Sequence, residues 1–469
     1  MSQIITIDGK WWTGGPEKPC VLGTLEISLE SLTLTVKLVE DWTPGKMFFD
    51  ALASQSTKVP HTILGRDEND RPITLFGCSE FGSTFAAVLR VIKISATAAL
   101  QGLALSDWRE KKLQAVSFEG EIIHRWLGWK NLVPMQLPNG EAYWKMPKGS
   151  DLVFPVCDGV TLRLACQISP VMKAGDWGFL PAHKLWLHFS AAQSLEKMTV
   201  KWMPLLTGLF SLLVGTTVRF DAVECFEIDP FSPSGNARSF GKLHTTGRVD
   251  RHPLGYPDSS QMLAPFPEIE NQMPAIVENW YRVANRFEPV VDLFSSVVLH
   301  NRFHPEATFL FLVQALEVYH ARGDYTSTNL PTEEHNRRVS EVVAAAPQDL
   351  KQWAERRLRS ANYKPLDARL TEIFQRHHEE ACKLFNDIDE LPERIRYTRN
   401  RLTHYTAPEI SPKMLRELEL VSIGWRLEAF IWICLLKEIG VHGKAIDKLL
   451  QRALGARFVG LWDIESPGI

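Results

Sequence analysis

Three residue types that together can cut a phosphodiester stand close in one stretch of this chain. They are Arg399, the amide Asn400 beside it, and His404, within Arg394-Ile-Arg-Tyr-Thr-Arg-Asn-Arg-Leu-Thr-His-Tyr405. A histidine with a near-neutral pKa can move the proton of a 2′-hydroxyl or of a leaving oxygen. A permanently charged guanidinium can grip a phosphate and stabilise the charge that develops on it. An amide can orient either partner. These groups suit RNA cleavage without a metal. The end of a helix favours protonated His404, whereas the neighbouring arginines 394, 396, 399 and 401 oppose it, so the sequence leaves its pKa open.

The element that must carry them reads as one helix of about four turns. Asp389 suits its N-cap, Pro392 is tolerated in its first turn, and Ala407-Pro408 should end it. At ~100° per residue, Leu391, Ile395 and Leu402 form an apolar stripe with Thr398 beside it. Asn400 and His404 share the opposite face with Arg396 close by, and Arg399 lies nearer the stripe. A single helix presents these groups poorly to one phosphate, and two such helices side by side would present them well, which predicts a dimer. The plain alternative is a solvated arginine-rich face with a histidine in its last turn. A second arginine–histidine pairing, Arg238 to His244, contains Gly241, lacks the amide and lies among Pro, Gly and Ser, so it reads as a loop.

Arg-Asn-Arg-Leu-Thr-His-Tyr405 at the end of an amphipathic helix resembles the signature of HEPN domains, all-α modules of which many are metal-independent ribonucleases. The stretch Phe309-Leu-Phe-Leu-Val-Gln-Ala-Leu-Glu-Val-Tyr-His320 is similar to an early helix of the ApeA-like HEPN subgroup, in which a glutamate, here Glu317, lies near the Arg/His helix. The resemblance is specific over roughly 305–435. It implies catalytic roles for Arg399, Asn400 and His404, with Glu317, Arg394, Arg396, Arg401 and Tyr405 supporting them or binding RNA. The implied reaction is attack of a 2′-hydroxyl on the adjacent phosphate, leaving a 2′,3′-cyclic phosphate or its hydrolysis product, with no cofactor and no metal. The implied setting is anti-phage defence by abortive infection, with an RNA substrate (tRNA by analogy) and a homodimer formed through the helical half. Some HEPN domains are instead inactive scaffolds for dimerisation or ligand binding, which would leave recognition to the other half of the chain. Intact Arg, Asn and His speak against that alternative. A nucleotide-binding HEPN with another transfer activity is a third.

Length and composition agree with a soluble globular protein of two or three domains. There are 469 residues, 45% hydrophobic and 23% charged. A net charge of −3 gives no overall basic signal for nucleic acid, so an RNA site has to be local. The N-terminus shows no signal-peptide pattern, and the longest apolar run of the first half, Met203 to Val214, is too short to span a bilayer. The seven cysteines are scattered with no C-x-x-C pair, which fits a reducing cytoplasm. Neither His183 with His188 nor His377 with His378 carries metal-ligand spacing.

The expected fold class is α+β. Residues 1–245 show alternating or β-branched runs separated by turn signals, as in Leu32-Thr-Leu-Thr-Val-Lys-Leu-Val39, and predict a β-sandwich or barrel-like region with an inserted helix at 203–214. Its many tryptophans read chiefly as core, although one of Trp11 and Trp12 could face a partner. Residues 246–272, rich in Pro, Gly and Ser, read as a connector without regular elements. From 273 to 469 the period becomes helical, with Pro289 breaking the first helix, Ser411-Pro412 opening a late one, and Ala429 to Leu436 apolar on every side. A large β-region offers edges and loops to another chain, so the N-terminal region is expected to sense a phage-derived protein.

Overall fold

The computed structural model describes residues 4–13, 20–28, 31–39, 61–86, 89–128, 133–136, 142–145, 151–173, 176–220, 222–231, 239–245, 257–299, 304–404 and 413–462. They group into two compact units, Met1–Glu278 and Asn279–Ile469. The first is β-rich and the second helical, an α+β chain as expected.

Alternating apolar residues close the first part of the N-terminal unit into an antiparallel barrel. Its strands are β1 (Ile5–Thr13), β2 (Val21–Ile27), β3 (Leu32–Val39), β4 (His61–Asp67), β5 (Pro72–Ala86) and β6 (Leu89–Ala96), in the order β5-β4-β1-β2-β3-β6 and back to β5. Closure depends on the length of β5. Its first half pairs with β4 and with β7 (Ala98–Gln101), and its second half pairs with β6. The side chains at period two that point inward, among them Val21, Leu25, Leu34, Val36, Ile63, Leu75, Ile92 and Ile94, make one buried cluster around Trp11. Trp11 fits because Gly65 lies under its ring: a Cβ at Gly65 would sit 2.3 Å from the indole. The Trp11 Nε1–H donates to the Gly23 carbonyl at 3.0 Å. Both Trp11 and Trp12 are buried, so neither is offered to a partner, although Thr6, Asp8 and Lys10 on the outer face of β1 are exposed.

From β7 the sheet opens into a second run, β7-β15-β14-β8-β13-β12-β11, with β8 at Lys112–Glu119, β11 at Asp151–Cys157, β12 at Val160–Lys173, β13 at Asp176–Ser194, β14 at Ala222–Phe226 and β15 at Ser239–Thr245. The pair β9 (Val133–Gln136) and β10 (Ala142–Lys145) stands apart. Strand β15 corrects the loop expected around Arg238–His244. Gly241, read as a breaker, is needed in the strand, because a Cβ there would come within 2.9 Å of the Gln101 carbonyl across the ladder. Helix α1 (Glu121–Leu127) was not foreseen, while α2 (Met203–Val214) fills the expected place and ends at Gly215 with φ 83°.

Residues 257–272 also depart from the featureless connector expected of them, and 246–256 lie outside the described residues. Short helical turns form at Ser259–Gln261, Phe266–Ile269 and Glu270–Gln272, and Met262, Leu263, Ala264 and Phe266 are buried. The cause is the end of α2. The amides of Leu263 and Ala264 donate to the otherwise orphaned carbonyls of Val214 and Leu213, and the Ala264 carbonyl accepts from Trp126 Nε1 at 2.8 Å.

Nine further helices lead through the second unit and include the stretch where the chain divides: α3 (Met273–Arg286), α4 (Glu288–Leu299), α5 (Pro305–Arg322), α6 (Thr332–Ala345), α7 (Lys351–Arg359), α8 (Leu366–Arg376), α9 (His378–Leu384), α10 (Leu391–His404) and α11 (Glu417–Glu438). A last helix, α12 (Lys444–Trp462), follows. The break between α3 and α4 falls at Phe287, two residues before Pro289. Ala429 to Leu436 of α11 is buried throughout, as its unbroken apolarity requires, and packs with α5. Ser411 and Pro412 lie outside the described residues; α11 itself opens at Glu417, after Arg416. Two members of its expected seam, Leu418 and Trp425, are exposed. Among the described residues no helix is long and apolar enough to cross a membrane.

Candidate active site on helix α10

Helix α10 is anchored by the stripe its sequence predicts. Leu391 and Ile395 are buried, and Leu402 is half-buried. Thr398, wholly buried, ties the helix down with its hydroxyl, which donates to the Arg394 carbonyl at 2.8 Å and accepts from the Leu415 amide at 2.9 Å. That second bond fixes the segment leading into α11 against α10.

Fixing the stripe turns the polar groups outward in a set order. Arg399 reaches Glu317 of α5, Nη2 to Oε2 at 3.4 Å, and its Nη1 donates to Asn400 Oδ1 at 3.3 Å. Glu317, Arg399 and Asn400 thus form one cluster. The Arg399 side chain is 33% exposed and Glu317 21%, so the guanidinium is gripped from one side and open on the other. His404 lies one turn beyond Asn400, exposed, with no hydrogen-bond partner among the described residues. It is about 140° around the helix from Arg399. Helical spacing thus turns the two toward different faces of α10.

The other arginines of the stretch are largely occupied. Arg394 pairs with Glu419 of α11 at 2.6 Å, and Arg396 with Asp367 of α8 at 3.0 Å and Glu393 at 3.8 Å. Arg401 is half-buried, and Tyr405 lies outside the described residues. Asp367 and Glu419 are additions that sequence reasoning missed, since each is remote in sequence and the pairing exists only once α8 and α11 pack on α10. Glu393, three residues before Arg396, was legible from helical spacing.

Helix α5, which carries Glu317, is braced by polar groups buried behind it. Tyr319 donates its hydroxyl to Glu438 of α11 at 2.7 Å, and His320, fully buried, bonds Glu372 of α8 at 2.7 Å. Burial pushes the Tyr319 phenol up, so it stays a donor throughout the physiological range. Such a brace keeps the Glu317 carboxylate where Arg399 meets it.

The histidine pairs noted in the sequence do not meet as pairs. His183 contacts His124, Nδ1 to Nδ1 at 2.8 Å, and burial followed by that neighbour pushes it down to about 4. His188 faces Asp229, His377 is buried beside Tyr319, and His378 lies near Cys382. Among the described residues no three or more His, Cys, Asp or Glu side chains are grouped so as to hold a metal ion.

Two family models match the chain. The Apea-like HEPN model covers residues 310–444, from within α5 to the start of α12 and therefore the whole cluster above. The ApeA N-terminal domain 1 model covers residues 6–146, which takes in the barrel. No curated protein and no solved structure matches.

Proposed function

Because the chain is an ApeA-like HEPN protein, a HEPN-domain effector of anti-phage defence, we propose that it is an endoribonuclease whose chemistry lies on α10. The observation that carries this reading is the half-open Glu317–Arg399–Asn400 cluster with an unengaged His404 one turn away. In the proposed step His404 takes the proton of a 2′-hydroxyl, the 2′-oxygen forms a bond to phosphorus, and the P–O5′ bond breaks as water gives a proton to the leaving 5′-oxygen. The products are a 2′,3′-cyclic phosphate and a 5′-hydroxyl end. Arg399 holds the phosphate and its developing charge, displacing the long contact to Glu317, and Asn400 orients it. No step calls for a metal or a cofactor.

A second copy completes the site in this reading. The 140° between Arg399 and His404 leaves each helix short of one partner, and a facing α10 supplies it. Support comes from α11, where Leu418 and Trp425, two turns apart on one face, are 51% and 46% exposed beside Glu419, the partner of Arg394. A homodimer would cover that stripe. The N-terminal unit is assigned to recognition of a phage-derived protein, which has to bind the cutting arrangement more tightly than the resting one.

The test is incubation of the purified full-length protein with cellular RNA in EDTA, followed by mapping of the ends. New 2′,3′-cyclic phosphate ends, absent with His404→Ala, are the expected result. A folded His404→Ala protein that cuts like the wild type would remove the assignment.

A further inference from the structure

The hairpin of α6 and α7 is an arm whose surface is almost entirely open. No residue of α6 is buried, and α7 buries only Ala354. Yet the arm is held firmly at its base. Thr328 and Tyr363 form a bridge, and the Asn362 side chain both accepts from the Leu330 amide at 2.8 Å and donates to its carbonyl at 2.9 Å. His335 of α6 is tied to the Leu358 carbonyl of α7 at 3.1 Å.

The two helices treat their charges differently. On α6, Arg337 is matched by Glu334 and Glu341, and Arg338 by Glu334, all within 2.7 to 2.8 Å. Helix α7 carries Lys351, Arg356, Arg357 and Arg359 against the single carboxylate of Glu355, which Arg359 takes at 2.9 Å. Arg356 makes only a long bond to the Gln352 carbonyl of its own helix, 3.4 Å, and Arg357 has no partner among the described residues. Between these two lies Trp353, 58% exposed. At ~100° per residue Arg356 stands about 60° to one side of the indole and Arg357 about 40° to the other, on the face turned away from Leu358.

We propose that this face of α7 grips single-stranded RNA, with Trp353 as a platform on which a base stacks and Arg356 and Arg357 as contacts to the flanking phosphates. The inference rests on the RNA reading above and names a part of substrate binding that lies outside the cluster on α10. An exposed aromatic ring between unneutralised guanidinium groups is the combination that binds single strands without base-specific readout. Charge decides against a second copy as the occupant, since two α7 faces would bring like charges together around the ring.

The experiment uses the full chain carrying His404→Ala, so that RNA is not consumed, and a labelled single-stranded RNA of mixed sequence followed by fluorescence anisotropy over a range of salt. Added Trp353→Ala should weaken binding about 10-fold, and Trp353→Phe should restore most of it. Added Arg356→Ala/Arg357→Ala should lower the slope of log affinity against log salt by about 1.4, the loss of two phosphate contacts on a single strand. Affinity and slope unchanged by all three variants would overturn the proposal, as would a parent protein that binds no RNA. So would an altered sedimentation coefficient with RNA binding intact, which would make the arm a contact between protein chains. A wild-type protein that fails to cut RNA while these variants lose RNA binding would refute the cleavage reading and leave the grip standing.

Discussion

The barrel and the helical unit both carry residues that attract functional explanations, and they dispose of them in opposite ways. In the barrel the tempting side chains are absorbed: Trp11 and Trp12 are buried, and Trp11 spends its one donor on Gly23. In the helical unit, Trp353 and Trp425 stay exposed, Arg356 and Arg357 are unneutralised, and His404 is unengaged. Every strand of a closed barrel has neighbours on both sides, so a large ring on its inner face has nowhere to go but the core. A helix buries only one stripe and leaves the remaining faces to solvent, ligand or partner. Aromatic content alone therefore says little about binding; the architecture that receives it decides.

The sharpest way to break this contrast is to remove the exposed chemistry of the helical unit. His404→Ala should reduce RNA cleavage by about 10²–10⁴-fold, the usual contribution of one acid or base, with the melting temperature little changed because the side chain is exposed. Loss of stability comparable to loss of activity would place His404 in the structure instead. Next in size, Trp425→Glu should weaken the proposed dimer by more than about 30-fold in sedimentation equilibrium, as for a central aromatic contact worth ~2 kcal/mol. An unchanged dimer would move the interface off the Leu418/Trp425 face.

The barrel has to answer the reverse test. Gly65→Ala puts a methyl group 2.3 Å from the ring of the fully buried Trp11. It should cost about 1–3 kcal/mol, read as a lower denaturant midpoint for the N-terminal unit. A silent substitution would show that the barrel is looser than its packing indicates. The smallest effect is set by pH. His183 and His244 in the N-terminal unit and His377 in the helical unit are each pushed down to about 4, chiefly by burial. Below the ordinary histidine value of about 6.5 the unfolded chain takes up the proton first. The stability these groups lend is therefore intact above that pH and is lost as pH falls toward 4. By pH 5 the loss should be about 1–2 kcal/mol per histidine, and burial lowers His188 of the N-terminal unit as well, so hydrogen exchange should report the larger loss in the N-terminal unit. Equal losses would remove this difference between the units.

Much of the fold was legible from local pattern. The α+β order, the helix at 203–214, the strand at Leu32–Val39, the breaks near Pro289 and the buried centre of α11 all follow from periodicity and punctuation, which act within a few residues. So did the stripe of α10 and the place of Asn400 and His404 on one face, since helical spacing requires nothing from the rest of the chain. What failed were positions whose state is set by distant partners. Gly241 looked like a loop residue and is a strand residue because Gln101 passes too close for any side chain. Residues 262–266 looked like linker and are buried because the end of α2 needed donors.

The same division runs through the candidate site. Residue types and spacing determined which groups could do chemistry, for those are properties of the side chain and of one helix. Tertiary structure alone decided which of these arginines is left open. Arg394 and Arg396 are held by Glu419 and Asp367, carboxylates remote in sequence, while Arg399 is held loosely and left one-third open. A charge acts through whatever lies within a few ångströms of it, and that neighbourhood exists only once α5, α8 and α11 have packed around α10.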